Sequence, residues 1–257
     1  MTTRLSELSS PQWSEAQERL ERLEPENGAV WLNALSAASR SANVAAVDDS
    51  LDRFAKSTRF DTYQMTLAKE MIAAFSRKPM PDMYYPKAAG IPEIQKELIA
   101  PTASYLIANA LLIPQTEPLS KECAADNVHG GRALNCDLSL RLLLTAGDTF
   151  FSRTVAAKQL FRRHSLNYDD NETIRKNDWL YDQWTHSDAS DLGAEVELKA
   201  RKINDVLVYG NEADGMRNFL QTSSMRVLPP ADWIDKFAPK PDKLGLNDDK
   251  PHLPLTH

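Results

Sequence analysis

The chain has 257 residues, of which 42% are hydrophobic and 26% charged, and it carries a net charge of −6. It is long enough to bury a sizeable core, and its charge gives no electrostatic ground for binding nucleic acid or an anionic membrane. Nine glycines against fifteen prolines argue against an all-β protein built on glycine turns, and no apolar run approaches the ~20 residues that would insert into a membrane as a helix.

Apolar periodicity predicts helices almost throughout. In the first, Trp13, Ala16, Leu20 and Leu23 share one face. Pro25 closes it, and Asn27 can cap a second helix that buries Val30, Trp31, Ala34, Leu35 and Ala38. A third begins after Asn43 and presents Val44, Val47, Leu51 and Phe54. For the fourth, Asp61 is the candidate N-cap, Gln64 occupies the capping-box position, and Phe60 can staple onto Met65.

Residues 77–92, which include Tyr84 and Tyr85, read as a long loop whose methionines and tyrosines either cover the core or contact a partner. Helix resumes over 93–113, kinked or broken near Pro101. A short helix around Cys123 and a Gly130-Gly131 break precede a strong helix over 133–145, carrying Leu134, Leu138, Leu142 and Leu143. Gly147 ends that helix, and Asp148 or Thr149 caps the next, which runs to about His164. Further amphipathic helices are expected over 172–185, 192–208 and 212–222. Pro229-Pro230 stops the array, and the proline-, lysine- and aspartate-rich residues 238–257 are expected to form a disordered tail. No alternating run is bounded by a hairpin turn. The expected fold is all-α, a single domain over 1–237 with a candidate subdivision near 77–92.

The Pro25 to Trp31 unit, with Val47 and Leu51 beyond it, resembles a degenerate tetratricopeptide-like repeat. Leu35, Ala38 and Ala42 depart from the repeat's pattern, and Leu142 to Asp148 is a second echo that lacks the tryptophan. These stretches, with Pro230-Ala231-Asp232-Trp233, also look like a group of uncharacterised bacterial helical proteins. The resemblance implies antiparallel helical hairpins stacked as an α-solenoid, whose concave face suits peptides or partner domains.

Few residues point to chemistry. Cys123 and Cys136 can form a disulfide or stand as two buried thiols, and neither belongs to a Cys-x-x-Cys motif. His129, between them, lacks the partners for a four-ligand zinc site. His164 and His186 stand near helix ends, and the pairs Asp48-Asp49, Asp169-Asp170 and Asp248-Asp249 read as caps or solvated charges. There is no nucleophile elbow, phosphate-cradling loop or His-Glu-x-x-His, so no catalytic, cofactor or metal residue is assigned. Tyr84, Tyr85, Tyr168, Trp179, Tyr181 and Trp184 are the candidate partner-binding aromatics, with inter-helix packing as the other reading.

The expected function is a non-enzymatic scaffold whose partner is another protein or a peptide. A narrower version is an immunity or chaperone-like protein occupying a secreted toxin or effector; the rival is a helical enzyme using dispersed acidic and histidine residues. The N-terminus shows no hydrophobic signal segment, so a complete product is expected in the cytoplasm and a mature or truncated form in the periplasm.

Overall fold

The computed structural model describes residues 11–77, 93–111, 116–127, 130–187 and 192–233. Tyr84, Tyr85, His129 and the expected tail over 238–257 lie outside them. Eleven α-helices make up the described residues: α1 (Pro11–Leu23), α2 (Gly28–Arg40), α3 (Val44–Lys56), α4 (Gln64–Arg77), α5 (Glu93–Leu111), α6 (Thr116–Glu122), α7 (Gly131–Ala146), α8 (Phe150–Arg162), α9 (Tyr168–Thr185), α10 (Leu192–Tyr209) and α11 (Glu212–Thr222). The extended pairing among them is a lone bridge between Asn27 and Arg59. The all-α expectation is met.

That bridge belongs to the joint between α1 and α2. Asn27 is fully buried; its Oδ1 accepts from the Ala29 and Asp61 amides, and its Nδ2 donates to the Asp61 carbonyl and to Glu24. One side chain therefore caps α2 and ties the joint to the loop that follows α3. Trp31 packs one helical turn on, its Nε1 donating to the Pro25 carbonyl at 2.8 Å and the Arg53 guanidinium lying 4.9 Å over its ring. Gly28 is fixed by space: a Cβ there would press into the Phe54 ring.

The helices pack in an order that differs from their order in the chain. The α2–α3 hairpin packs through α3 onto α7, and α7 pairs with α8. Trp31, Leu32, Leu35, Val47, Leu51 and Phe54 thus share one core with Leu119, Leu140, Leu143 and Leu160. A second core joins Phe150 and Leu180 to Ala213, Met216, Phe219 and Leu220 of α11. A third joins Met65 and Ala68 of α4 to Ala108 of α5 and Val206 and Leu207 of α10.

Local details differ from expectation at three places. The fourth helix begins at Gln64, so no capping box forms: Asp61 accepts from the Tyr63 amide, while Gln64 is buried. Phe60 and Met65 fall in different cores. In α7 the buried face is Cys136, Ser139, Leu140, Leu143 and Leu144, whereas Leu134 and Leu138 are exposed; leucines on both sides of the helix mask its period. Helix α5 runs through Pro101 as one element.

Candidate functional site

Helices α8 and α9 form an antiparallel pair whose facing surfaces enclose a groove of about 810 Å³. Local sequence sets both starts. Thr149 caps α8 by accepting from the Ser152 amide, which settles the choice between Asp148 and Thr149. Asn167 and Asp170 form a capping box at the start of α9. Asp170 also pairs with Arg141 of α7 at 3.0 Å, and Arg141 donates to the Ser165 carbonyl, so the α8–α9 turn is fastened to α7.

The groove's walls follow helical spacing. Helix α8 contributes Phe150, Phe151, Thr154, Ala157, Lys158 and Phe161, and α9 contributes Asn171, Ile174, Arg175, Asp178 and Tyr181. Arg153 of α8, Asn177 of α9, Leu144 of α7 and Leu166 of the turn complete the lining. Ten residues of rise from Phe151 to Phe161 make the groove about 15 Å long. At one end the Phe150 and Tyr181 rings lie 5.0 Å apart. Midway, Arg153 of α8 donates from Nη1 to Asn177 Oδ1 of α9 at 3.3 Å and from Nε to the Gly147 carbonyl at 2.7 Å. Burial works against the charge of this guanidinium, as does Arg217, while Asp214, Asp148 and Glu212 support it through space.

A buried polar cluster lies alongside, where three connections meet. Asp148 Oδ2 accepts from the Thr62 amide and hydroxyl, and its backbone carbonyl accepts from the Glu212 amide at 2.9 Å. Glu212 accepts from Tyr105 of α5 at 2.5 Å and from the Phe150 amide at 2.6 Å. Burial pushes both carboxyls above their ordinary values and holds the Tyr105 hydroxyl protonated. Raised carboxyls are one mark of acid–base sites. Neither lines the groove, however, and their bonds clamp the α7–α8, α10–α11 and α3–α4 connections together. Sequence reading reached Asp148 only as a capping candidate and missed Glu212, Arg153 and Asn177, which carry no motif; a charged residue opening α11 was the one local hint.

The candidate aromatics diverge around α9. Trp179 is buried, edge-on to Trp233 at 5.5 Å, with Nε1 donating to the Arg226 carbonyl. Trp184 packs against the second core beneath Lys202. Tyr168 projects into solvent, and Tyr181 lines the groove. Cys123 and Cys136 stand together as a buried disulfide pair, Cα atoms 5.6 Å apart, joining α6 to α7. His164 and His186 are both exposed, one on either side of α9, and His186 Nδ1 lies against the Asp182 carbonyl.

Among the described residues, no group of three or more His, Cys, Asp or Glu could hold a metal ion, and no helix is long and apolar enough to cross a membrane. Comparison of the chain with protein-family models, with curated proteins and with solved structures finds no match.

Proposed function

We propose that this protein is a non-enzymatic helical scaffold that seats a segment of another protein in the groove between α8 and α9. The observation that carries this reading is the groove itself, with Phe151 54% exposed and Tyr181 40% exposed along it. Large aromatics left in solvent beside an apolar trough are a poor way to finish a helix pair and a good way to anchor a partner. A trough about 15 Å long between two helices matches an amphipathic helix laid in by its apolar face.

The surrounding fold supports this reading. The hairpins α2–α3 and α7–α8 lie side by side through α3 and α7, which is how a solenoid-like array presents a face built from successive hairpins. In this reading α4 to α6 interrupt the array, and the unit around Trp31 is one of its hairpins.

Site-directed photo-crosslinking in the cells that make the protein tests the proposal. A benzophenone side chain at position 151 should give a discrete protein adduct, which Tyr181→Glu weakens several-fold. The same group at Glu18, exposed on α1, should give none. No adduct from position 151, or the same adduct from both positions, overturns the reading.

A further inference from the structure

The described chain leaves the fold beside the groove. Arg175 lines the groove from α9, and its Nη1 donates to the Pro230 carbonyl at 3.0 Å. The Trp233 amide donates to the same carbonyl at 3.1 Å, and the Trp233 ring meets Trp179 edge-on at 5.5 Å. Arg175 and Trp179 stand one helical turn apart, on the side of α9 opposite Asn177 and Tyr181. Those two face α8 through Arg153 and Phe150. The turn over Pro230 to Trp233 is therefore fastened to the outer rim of the groove, level with the middle of its α9 wall.

Apolar residues come next in the sequence. Ile234 and Phe237 follow Trp233 directly, and Phe237 is the one phenylalanine, tyrosine or tryptophan among residues 234–257. Both fall inside the single domain expected over residues 1–237. Pro239-Lys240-Pro241-Asp242-Lys243 then offers no apolar side chain of that size. Four extended residues span about 13 Å, and packed helices stand about 8–10 Å apart. From the rim at Trp233, Phe237 has the reach to cross α9 and meet Phe151 on α8.

The groove offers a matching seat. At the end where the Phe150 and Tyr181 rings lie 5.0 Å apart, Phe151 and Tyr181 keep much of their surface open. Aromatic rings in that state gain contact area and favourable ring geometry from another ring. Charge on the groove favours no sign of occupant, since Asp178 opposes Lys158 and Arg175 is held by Glu172. Shape and apolar area select what sits there.

We infer that Ile234 to Ala238 of this chain occupy the groove of the free protein, with Phe237 seated against Phe151 and Tyr181, and that a partner segment must displace them. This rests on the scaffold reading and adds its regulation, because the protein then holds its own binding face. A segment tethered this closely meets the groove at an effective concentration in the millimolar range. A partner present at about 1 μM must bind about a thousand-fold more tightly than the tethered segment to share the groove equally with it.

Photo-crosslinking on the purified full chain tests the inference. With a benzophenone side chain at position 151, irradiation should give an intrachain adduct of single-chain mass, mapped by peptide mass spectrometry to residues 234–238. Phe237→Ser should reduce that adduct several-fold, whereas Leu246→Ser, farther along the same tether, should leave it unchanged. In the cells that make the protein, Phe237→Ser should raise the partner adduct from position 151 several-fold. Circular dichroism verifies that each variant is folded. No intrachain adduct, or one that Phe237→Ser leaves intact, overturns the inference without touching the scaffold reading. An adduct confined to twice the chain mass overturns it too and assigns the groove to a second copy. An intrachain adduct with no partner adduct, from either the unaltered chain or Phe237→Ser, would instead overturn the scaffold reading and leave the groove as a seat for the chain's own segment.

Discussion

Asp148 and Glu212 show how single residues set the pH response of this fold. Burial is the largest influence on each and raises both carboxyls, above ordinary values of 3.8 and 4.5, despite the hydrogen bonds they accept. A carboxyl with a raised pKa takes up its proton more readily in the folded chain than in the unfolded one. Its stabilising contribution is therefore present at low pH and lost as pH rises through the raised value. Glu24 works the other way. Burial opposes its charge, but hydrogen bonds from Tyr63, Asn27 and Arg59 outweigh burial and hold it below 4.5, so its contribution is lost only as pH falls through that lower value. Above the ordinary carboxylate range the raised pair governs, because Glu24 is already ionised there. The urea midpoint should rise as pH is lowered from about 7.5 to about 5.5, and Glu212→Gln should flatten that slope. A midpoint that falls with acidification over this interval, in the unaltered chain, would contradict the assignment. Asn27 was legible as a cap because an asparagine after a proline turn is a local signal. That the same side chain also bridges to Asp61, 34 residues away, was not, because nothing local specifies the second partner.

At the scale of elements, helix starts were more legible than buried faces. The caps at Asn27 and Asn43 and the short element around Cys123 lie where turn chemistry places them. The face of α7 was misread because that helix packs against both α3 and α8, so a single apolar stripe does not describe it. The disulfide pair between α6 and α7 was one of two readings left open by the sequence, since a separation of 13 residues permits a bridge without requiring one. Helix α6 is seven residues long, too short to hold itself together. Burial of Leu119 and Cys123 in the first core anchors it, as does Arg163 donating to the Cys123 carbonyl. Closing this loop covalently should contribute about 3 kcal/mol on the chain-entropy model. Denaturant unfolding of Cys123→Ala/Cys136→Ala should show a loss of that size, and reductant should lower the unaltered protein's midpoint while leaving the variant's alone. Alkylation of two thiols in the unreduced, unfolded protein would show instead that the bridge does not form.

Across the whole molecule, the three cores are tied together by shared helices and by the polar clamp. Helix α8 gives Ala156 and Leu160 to the first core and Phe150 to the second. Helix α10 gives Val206 and Leu207 to the third, and its partly buried Leu198 packs against the second. Thr62 to Asp148 and Tyr105 to Glu212 then bind α4 and α5 to the turns that start α8 and α11. None of this was visible in the sequence, because periodicity reports that a face is buried and not which distant helix buries it. The groove inherits its shape from the same arrangement, since α8 is held by the first core and α9 leans on α11 through Leu180. If the cores act as one unit, a cavity made far from the groove should loosen the entire fold. Phe219 is fully buried in the second core, and Phe219→Ala should cost about 3–5 kcal/mol. Native-state hydrogen exchange can then compare amides of α11 with those of α3, which belongs to the first core alone. Slowly exchanging amides of both helices should accelerate by the same factor, because they open through the same global unfolding. Acceleration confined to α11, with α3 unchanged, would show that the second core opens by itself and that the groove wall built by α9 can come away from the rest.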